Sequence, residues 1–355
     1  MKEKLVKYLK DLVEIPSVIG NEKEIADYTQ NFVERYYPSS NIVRYNNSLM
    51  VFDEIDQSKK TLALVGHLDT VPGENDFTGQ IIDGRLYGLG ASDMKGGLAV
   101  MMGLMDYFSD KEKRFNLIYV FYEKEEGPYV DNGLEPLLSE FDIIQKADLA
   151  IALEPTDNKV QVGCLGTLHA SIIFKGKRAH SARPWQGENA IHKAADFLKR
   201  LADYGIHEYE FDGMKFLEVM NATMVEFSGG RNIIPDKFVI NVNYRFAPGK
   251  TIEQAKEDVL KLVNGEAEVE FTDLCPSGNV CLYNPVLSEL IEKYSLPVEA
   301  KQAWTDVARL SLYGIDAVNF GPGEAAQAHQ KNENIPLENL YKNFEILSDF
   351  IKVEK

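Results

Sequence analysis

The chain has 355 residues, of which 45% are hydrophobic and 26% charged, and its formal net charge is -17. This length predicts two domains with a large core, and the acidic excess argues against nucleic acid or an anionic membrane as partner. No segment approaches the length of a membrane span, and the three cysteines, Cys164, Cys275 and Cys281, suit reduced thiols in a cytoplasmic protein better than a disulfide framework.

Residues 2–13 have helical apolar spacing without the unbroken apolar stretch of a signal peptide, and a second helix is expected near 22–36. Residues 62–66 form a short apolar run bounded by a turn signal, which reads as a buried strand. It ends in His67-Leu68-Asp69. A His just past such a strand is fixed in place, and an Asp two residues on can hold its second ring nitrogen, as a metal ligand needs. Alone, the tripeptide also suits a core His bonded to a nearby Asp.

The glycines of 88–97 turn the backbone sharply before a helix at 97–108. Neither G-x-G-x-x-G nor G-x-x-x-x-G-K-[ST] aligns here, which argues against a dinucleotide or phosphate loop. Asp93 in this loop can cap the helix, or bridge two cations with its two oxygens. The apolar strand 117–122 runs into Glu123-Lys124-Glu125-Glu126. Such a cluster is either a solvated loop or a working pair, in which one carboxylate binds metal and its neighbour takes a proton from water. Strand 149–153 ends at Glu154, and residues 318–323 lead to His329. With no Cys-x-x-Cys in the chain, any metal must be held by His and carboxylates. His67, Asp93, Glu126, Glu154 and His329 each follow or end a buried strand or lie in the loop after it. Open α/β sheets bind ligands at the carboxyl ends of their strands, and these five look like the ligand set of a two-metal hydrolase.

After Gly166 the texture changes. A strand at 167–174, a helix at 189–201, strands at 216–227 and 238–246, a helix at 252–263 and a strand at 267–272 give the order βαββαβ, a self-sufficient ferredoxin-like unit. The α/β alternation resumes near Pro285. Residues 1–165 and 275–355 are therefore read as one discontinuous domain of the α/β class with a mostly parallel sheet, and 166–274 as an insert. The insert carries His180, which alone reads as a surface His, and Asn232, which reads as a turn residue. Arg245 reads as a strand-end charge or a guanidinium fork for a carboxylate. Asp306 reads as structural.

Taken together, GHLDTVP (66–72), GASDMKGG (90–97), EEGP (125–128), LEPT (153–156) and AHQ (328–330) resemble the zinc-dependent aminoacylase/carboxypeptidase/desuccinylase family of metallohydrolases, in the family's order and over nearly the whole chain. Segments 163–167, 178–185, 189–193, 232–236, 243–248 and 304–307 are similar to the shorter branch of its succinyl-diaminopimelate desuccinylases. Trp304-Thr305-Asp306 departs from the Gly-rich loop of the longer branch, so that loop's substrate contacts do not carry over.

The resemblance implies a catalytic domain with an inserted dimerisation domain and two zinc ions, replaceable by cobalt or manganese. It implies that His67 and Glu154 hold one ion, His329 and Glu126 the other, and Asp93 both, with Asp69 orienting His67. It further implies a cis peptide between Asp93 and Met94, Glu125 as general base, and a homodimer in which His180 serves the partner's oxyanion. Asn232 and Arg245 are implied substrate contacts. The implied reaction is hydrolysis of N-succinyl-LL-2,6-diaminopimelate. An N-acetylornithine deacetylase or a carboxypeptidase of the same family is the alternative. The intact ligand set and the Glu125-Glu126 pair argue against a non-enzymatic binding protein.

Overall fold

The computed structural model describes residues 1–38 and 40–353. In chain order its elements are α1 (Lys2–Glu14), α2 (Lys23–Tyr36), β1 (Asn41–Tyr45), β2 (Ser48–Phe52), β3 (Lys60–His67), β4 (Ile81–Ile82), β5 (Arg85–Tyr87), α3 (Gly96–Phe108), β6 (Phe115–Tyr122), α4 (Leu134–Glu140), β7 (Leu149–Pro155) and β8 (Val160–Val162). There follow β9 (Gly166–Lys175), β10 (Ala179–His180), α5 (Ala190–Lys193), α6 (Ala195–Tyr204), β11 (Ile206–Phe211), β12 (Met214–Phe227), β13 (Ile233–Ile234), β14 (Lys237–Phe246), α7 (Ile252–Val263) and β15 (Glu268–Cys275). The last are α8 (Pro285–Tyr294), β16 (Val298–Ala300), α9 (Val307–Leu312), β17 (Ala317–Gly321), β18 (Asn334–Pro336) and α10 (Leu337–Ile351).

The chain divides into two compact units. One comprises Met1–Gly163, Cys281–Glu299 and Arg309–Lys355, and the other Cys164–Val280 and Ala300–Ala308. The first is built on an eight-stranded sheet in the order β1-β2-β6-β3-β7-β17-β8-β16. Its centre is parallel, with β3 between β6 and β7 and β17 beside β7. These four strands are buried along nearly their whole length, as parallel strands covered on both faces must be. The register sets their carboxyl ends level: His67 pairs with Tyr122, and Ala152 with both Val65 and Asn319. His67 lies in one of these pairs, Glu154 two residues past Ala152 and Glu126 four past Tyr122.

Helix α3 is buried along most of its length and packs against α1 and α10. It starts close to β7: a Cβ on Gly97 would stand 2.5 Å from the carbonyl oxygen of Leu153. That approach brings the Asp93 loop against the strand that ends in Glu154. No helix among the described residues is long and apolar enough to cross a membrane, and the three cysteines are free and buried.

The second unit is an antiparallel five-stranded sheet in the order β11-β12-β14-β9-β15. Four of its strands and two helical segments follow the βαββαβ pattern, and α6 and α7 supply Phe197, Leu201, Val259 and Val263 to a core shared with β9, β12 and β14. The fifth strand, β11, was not anticipated. Its side chains are almost all exposed, so no buried face marks it in the sequence. The single helix expected at 189–201 is two, divided at Ala194, and Asn189 caps the first by accepting from the Ile191 and His192 amides.

The unit boundary also differs from 166–274. Residues 275–280 stay with the insert because Cys275 pairs with Thr167 and Gly278 bridges Cys164. Residues 300–308 join it because Gln302 bonds the backbone of Lys215 and Leu217 on β12, and the Trp304 indole donates to the Pro276 carbonyl at 3.1 Å.

Gly97→Ala is expected to lower the stability of the first unit by about 1–3 kcal/mol, because a methyl there must push against backbone. Urea unfolding followed by the near-ultraviolet signal measures this.

Candidate metal centre

His67 closes β3 and is almost fully buried. Its Nδ1 faces the carbonyl oxygen of Asp69 at 3.0 Å, with the Asp69 carboxylate at 3.6 Å, and this leaves Nε2 for Asp93 Oδ1 at 3.2 Å. The other oxygen of Asp93 lies 3.7 Å from Nε2 of His329, and that same nitrogen is 3.0 Å from Glu126 Oε1. One carboxylate thus stands between two imidazoles, an oxygen toward each. His67, Asp93 and Glu126 offer donor atoms that all lie within 4.8 Å of one another. Glu154 is buried at the end of β7 but is not part of that group.

The local electrostatics favour cations. Burial works against charge on His67, but Asp69, Asp93 and the nearby Glu125 outweigh it and hold the imidazole pKa well above its ordinary range. The bond to Glu126, opposed by burial and assisted by Asp93, pushes His329 up to about 9. The donor set of nitrogen and carboxylate oxygen fits a divalent cation.

Two buried acids hold this arrangement from behind. Asp69 accepts from the amides of Glu125 at 3.0 Å and Glu126 at 2.9 Å, one with each oxygen. It therefore sets the path of the Glu125-Glu126 pair as well as the His67 ring. Glu333 accepts from Ser92 N and Asp93 N with one oxygen, both at 2.8 Å, and from Gly90 N with the other at 2.7 Å. Burial pushes its pKa up to about 7 even with three amides donating. The loop it holds contains a cis peptide between Asp93 and Met94, as the resemblance implied. Sequence reasoning missed Glu333. It sits in the polar run 330–334, where nothing distinguishes a buried acid from a solvated one, and its spacing from His329 was the only signal.

In the second unit, His180 and Asn232 come together at one tip. β10 pairs with β13, setting His180 opposite Ile233, and the Ser181 amide donates to the Asn232 carbonyl at 3.0 Å. Both side chains are exposed. Arg245 lies at the far end of β14, opposite Thr167, with Nε donating to Asn243 Oδ1 at 3.1 Å. From Lys237 to Arg245 the strand runs roughly 27 Å. Asp306 is buried.

Comparison with known proteins agrees with this geometry. The profile of Peptidase family M20/M25/M40 matches residues 63–353. The chain belongs to that family. It is a hydrolase acting on amide bonds, as expected from its motifs, and the family uses divalent metal. The M20 chain is 34% identical over 347 residues to the succinyl-diaminopimelate desuccinylase of Corynebacterium glutamicum, covering 96% of this chain and 94% of that one. It is 36% identical over 341 residues to a Mycobacterium tuberculosis protein provisionally named for the same activity, covering 96% of each. A tripeptidase from Staphylococcus aureus shares the fold with a TM-score of 0.79 at 21% identity, over 99% of this chain and 98% of that one.

Glu333→Gln replaces an acceptor with an amide that opposes a backbone donor. It is expected to cost about 1–3 kcal/mol in urea unfolding and to weaken divalent-cation uptake in a competitive chelator titration.

Proposed function

We propose that this protein is a dinuclear metal-dependent deacylase that cleaves N-succinyl-LL-2,6-diaminopimelate to succinate and LL-2,6-diaminopimelate. The near-full-length likeness to the Corynebacterium desuccinylase carries the substrate, and the Asp93 carboxylate between two imidazoles supports the paired site. In this reading His67 and Glu154 hold one ion, His329 and Glu126 the second, and Asp93 both. Zinc suits the donor set, and cobalt or manganese can replace it. When bound, the ions supply Lewis acidity toward the amide carbonyl and make nearby water more acidic.

The remaining chemistry belongs to the chain. Asp69 holds the Glu125 amide beside that of Glu126, so the two carboxylates leave one short turn for different tasks. Glu126 faces His329, and Glu125 takes a proton from water and returns it to the leaving amine. His180 donates to the oxyanion. Asn232 contacts the substrate, and the Arg245 guanidinium takes one of its carboxylates. The free, buried thiols fit a cytoplasmic setting.

The active unit is a homodimer in this reading. β11 covers only the first part of β12, pairing with Met214–Val219, and the sheet order puts no strand beside 220–227 on that side. Met224, Val225 and Phe227 on this bare stretch are more than half exposed. An unprotected edge of this kind invites pairing with a second copy. The strand length between Arg245 and the His180–Asn232 tip also supports the partner chain, rather than the same chain, as the source of that tip for a given substrate.

Two experiments test the reading. Exhaustive chelation is expected to abolish hydrolysis and added zinc to restore it. The restored enzyme is expected to prefer succinyl-diaminopimelate to N-acetylornithine in kcat/KM. Full activity after chelation overturns the metal assignment, and equal or faster turnover of acetylornithine overturns the substrate.

For the dimer, Glu125→Gln is expected to lower kcat by about 10²–10⁴-fold, as loss of a general base does. Mixed with His180→Ala subunits, themselves nearly inactive, it is expected to regain activity, since each mixed dimer has one site with both residues intact. No recovery after confirmed subunit exchange places His180 in cis.

A further inference from the structure

Charge is segregated in this chain. Residues 175–193 and 228–237 carry seven Lys and Arg against two acids, within a protein whose net charge is -17. The fold brings the two segments together. Gly176 N donates to the Asp236 carbonyl, Ala190 N to the Pro235 carbonyl and Ser181 N to the Asn232 carbonyl, around the β10–β13 ribbon. Elsewhere Arg44, Arg85, Arg114, Arg200 and Arg309 each hold a carboxylate. Arg178, Arg183 and Arg231 are exposed on this tip and form no ion pair or side-chain hydrogen bond among the described residues. The Asp236 charge is felt by Arg178 without a direct ion pair, and three neighbouring guanidiniums of this kind leave the tip basic in an otherwise acidic chain. Beside them Trp185 is 77% exposed, a large aromatic left in water.

We propose that this tip is an anion-recognition element in which Arg178, Arg183 and Arg231 select substrates bearing a second carboxylate beyond the scissile amide. The inference rests on the reading above that His180 and Asn232 face the substrate. Arg178 lies two residues before His180, and a turn ties Arg183 to it, with Arg183 N donating to the His180 carbonyl at 2.8 Å. Arg231 adjoins Asn232. A succinyl group carries its free carboxylate two methylenes from the carbonyl under attack, a group whose geometry and charge a guanidinium fork matches. The guanidinium fork matches a carboxylate in geometry and stays charged at all working pH values. The patch is small and the rest of the chain is acidic, which favours a small polycarboxylate over a nucleic acid.

The test uses the metal-loaded full-length enzyme carrying R178Q, R183Q and R231Q together. The ratio of kcat/KM for an N-succinyl substrate to that for the N-acetyl derivative of the same amine is expected to fall by about tenfold, through KM for the succinyl compound. Its fall with rising salt is expected to be shallower than in wild type. A second readout needs no turnover. Succinate is titrated against wild type, and the signal of W185F is subtracted to isolate Trp185 fluorescence. A saturable change is expected, absent from the triple variant and not produced by neutral succinamide. An unchanged succinyl-to-acetyl ratio overturns the proposal, as does equal loss on both substrates or a Trp185 signal indifferent to succinate. If wild type hydrolyses neither substrate, the deacylase reading fails, and the succinate titration still decides the tip.

Discussion

The site depends on how buried carboxylates are satisfied before any cation arrives. Ionised acids cannot be taken from water without donors, and here much of that supply is main chain. Asp69 takes two amides and Glu333 three, and every one of those amides lies in a loop that carries a candidate ligand or base. Each bond therefore has two effects. It compensates a buried acid and fixes the backbone from which Asp93, Glu125 and Glu126 project. The loops are held by acids at their backs, which leaves the site-facing carboxylates to hold protonated imidazoles or metal.

That division explains the contrast among the acids. Glu333 is buried among amides beside Asp93, and burial, reinforced by the Asp93 charge, raises its pKa. Asp93 and Glu126 meet imidazoles and raise the pKa of each. A cluster that raises His67 and His329 against the pull of burial is one with excess negative potential. A divalent cation answers that excess better than two protons do, because it interacts with every oxygen at once.

The second unit is organised by a different constraint. One face of its sheet is sealed by α6 and α7, so β9 and β14 alternate apolar and polar side chains. The polar tip at one end and Arg245 at the other lie on a scaffold whose strand length fixes their separation. A small ligand cannot meet both on one copy of the scaffold, and among the described residues β12 is unpaired on one side beyond Val219.

Much of this was legible in the sequence. Local, continuous apolar runs mark β3, β6, β7 and β17, and the residues at their carboxyl ends mark the site, because strand burial and strand polarity are properties of short segments. The βαββαβ order of the insert and the loop glycines before α3 were readable for the same reason. What the chain alone did not reveal depends on partners distant in sequence. Glu333 is a supporting acid only because Gly90, Ser92 and Asp93 present amides to it, and β11 is a strand only because β12 pairs with it. Residues 300–308 belong with the insert only because Gln302 and Trp304 find backbone partners there. Hydrogen bonds to backbone leave no trace in residue type, so these assignments waited on the tertiary structure.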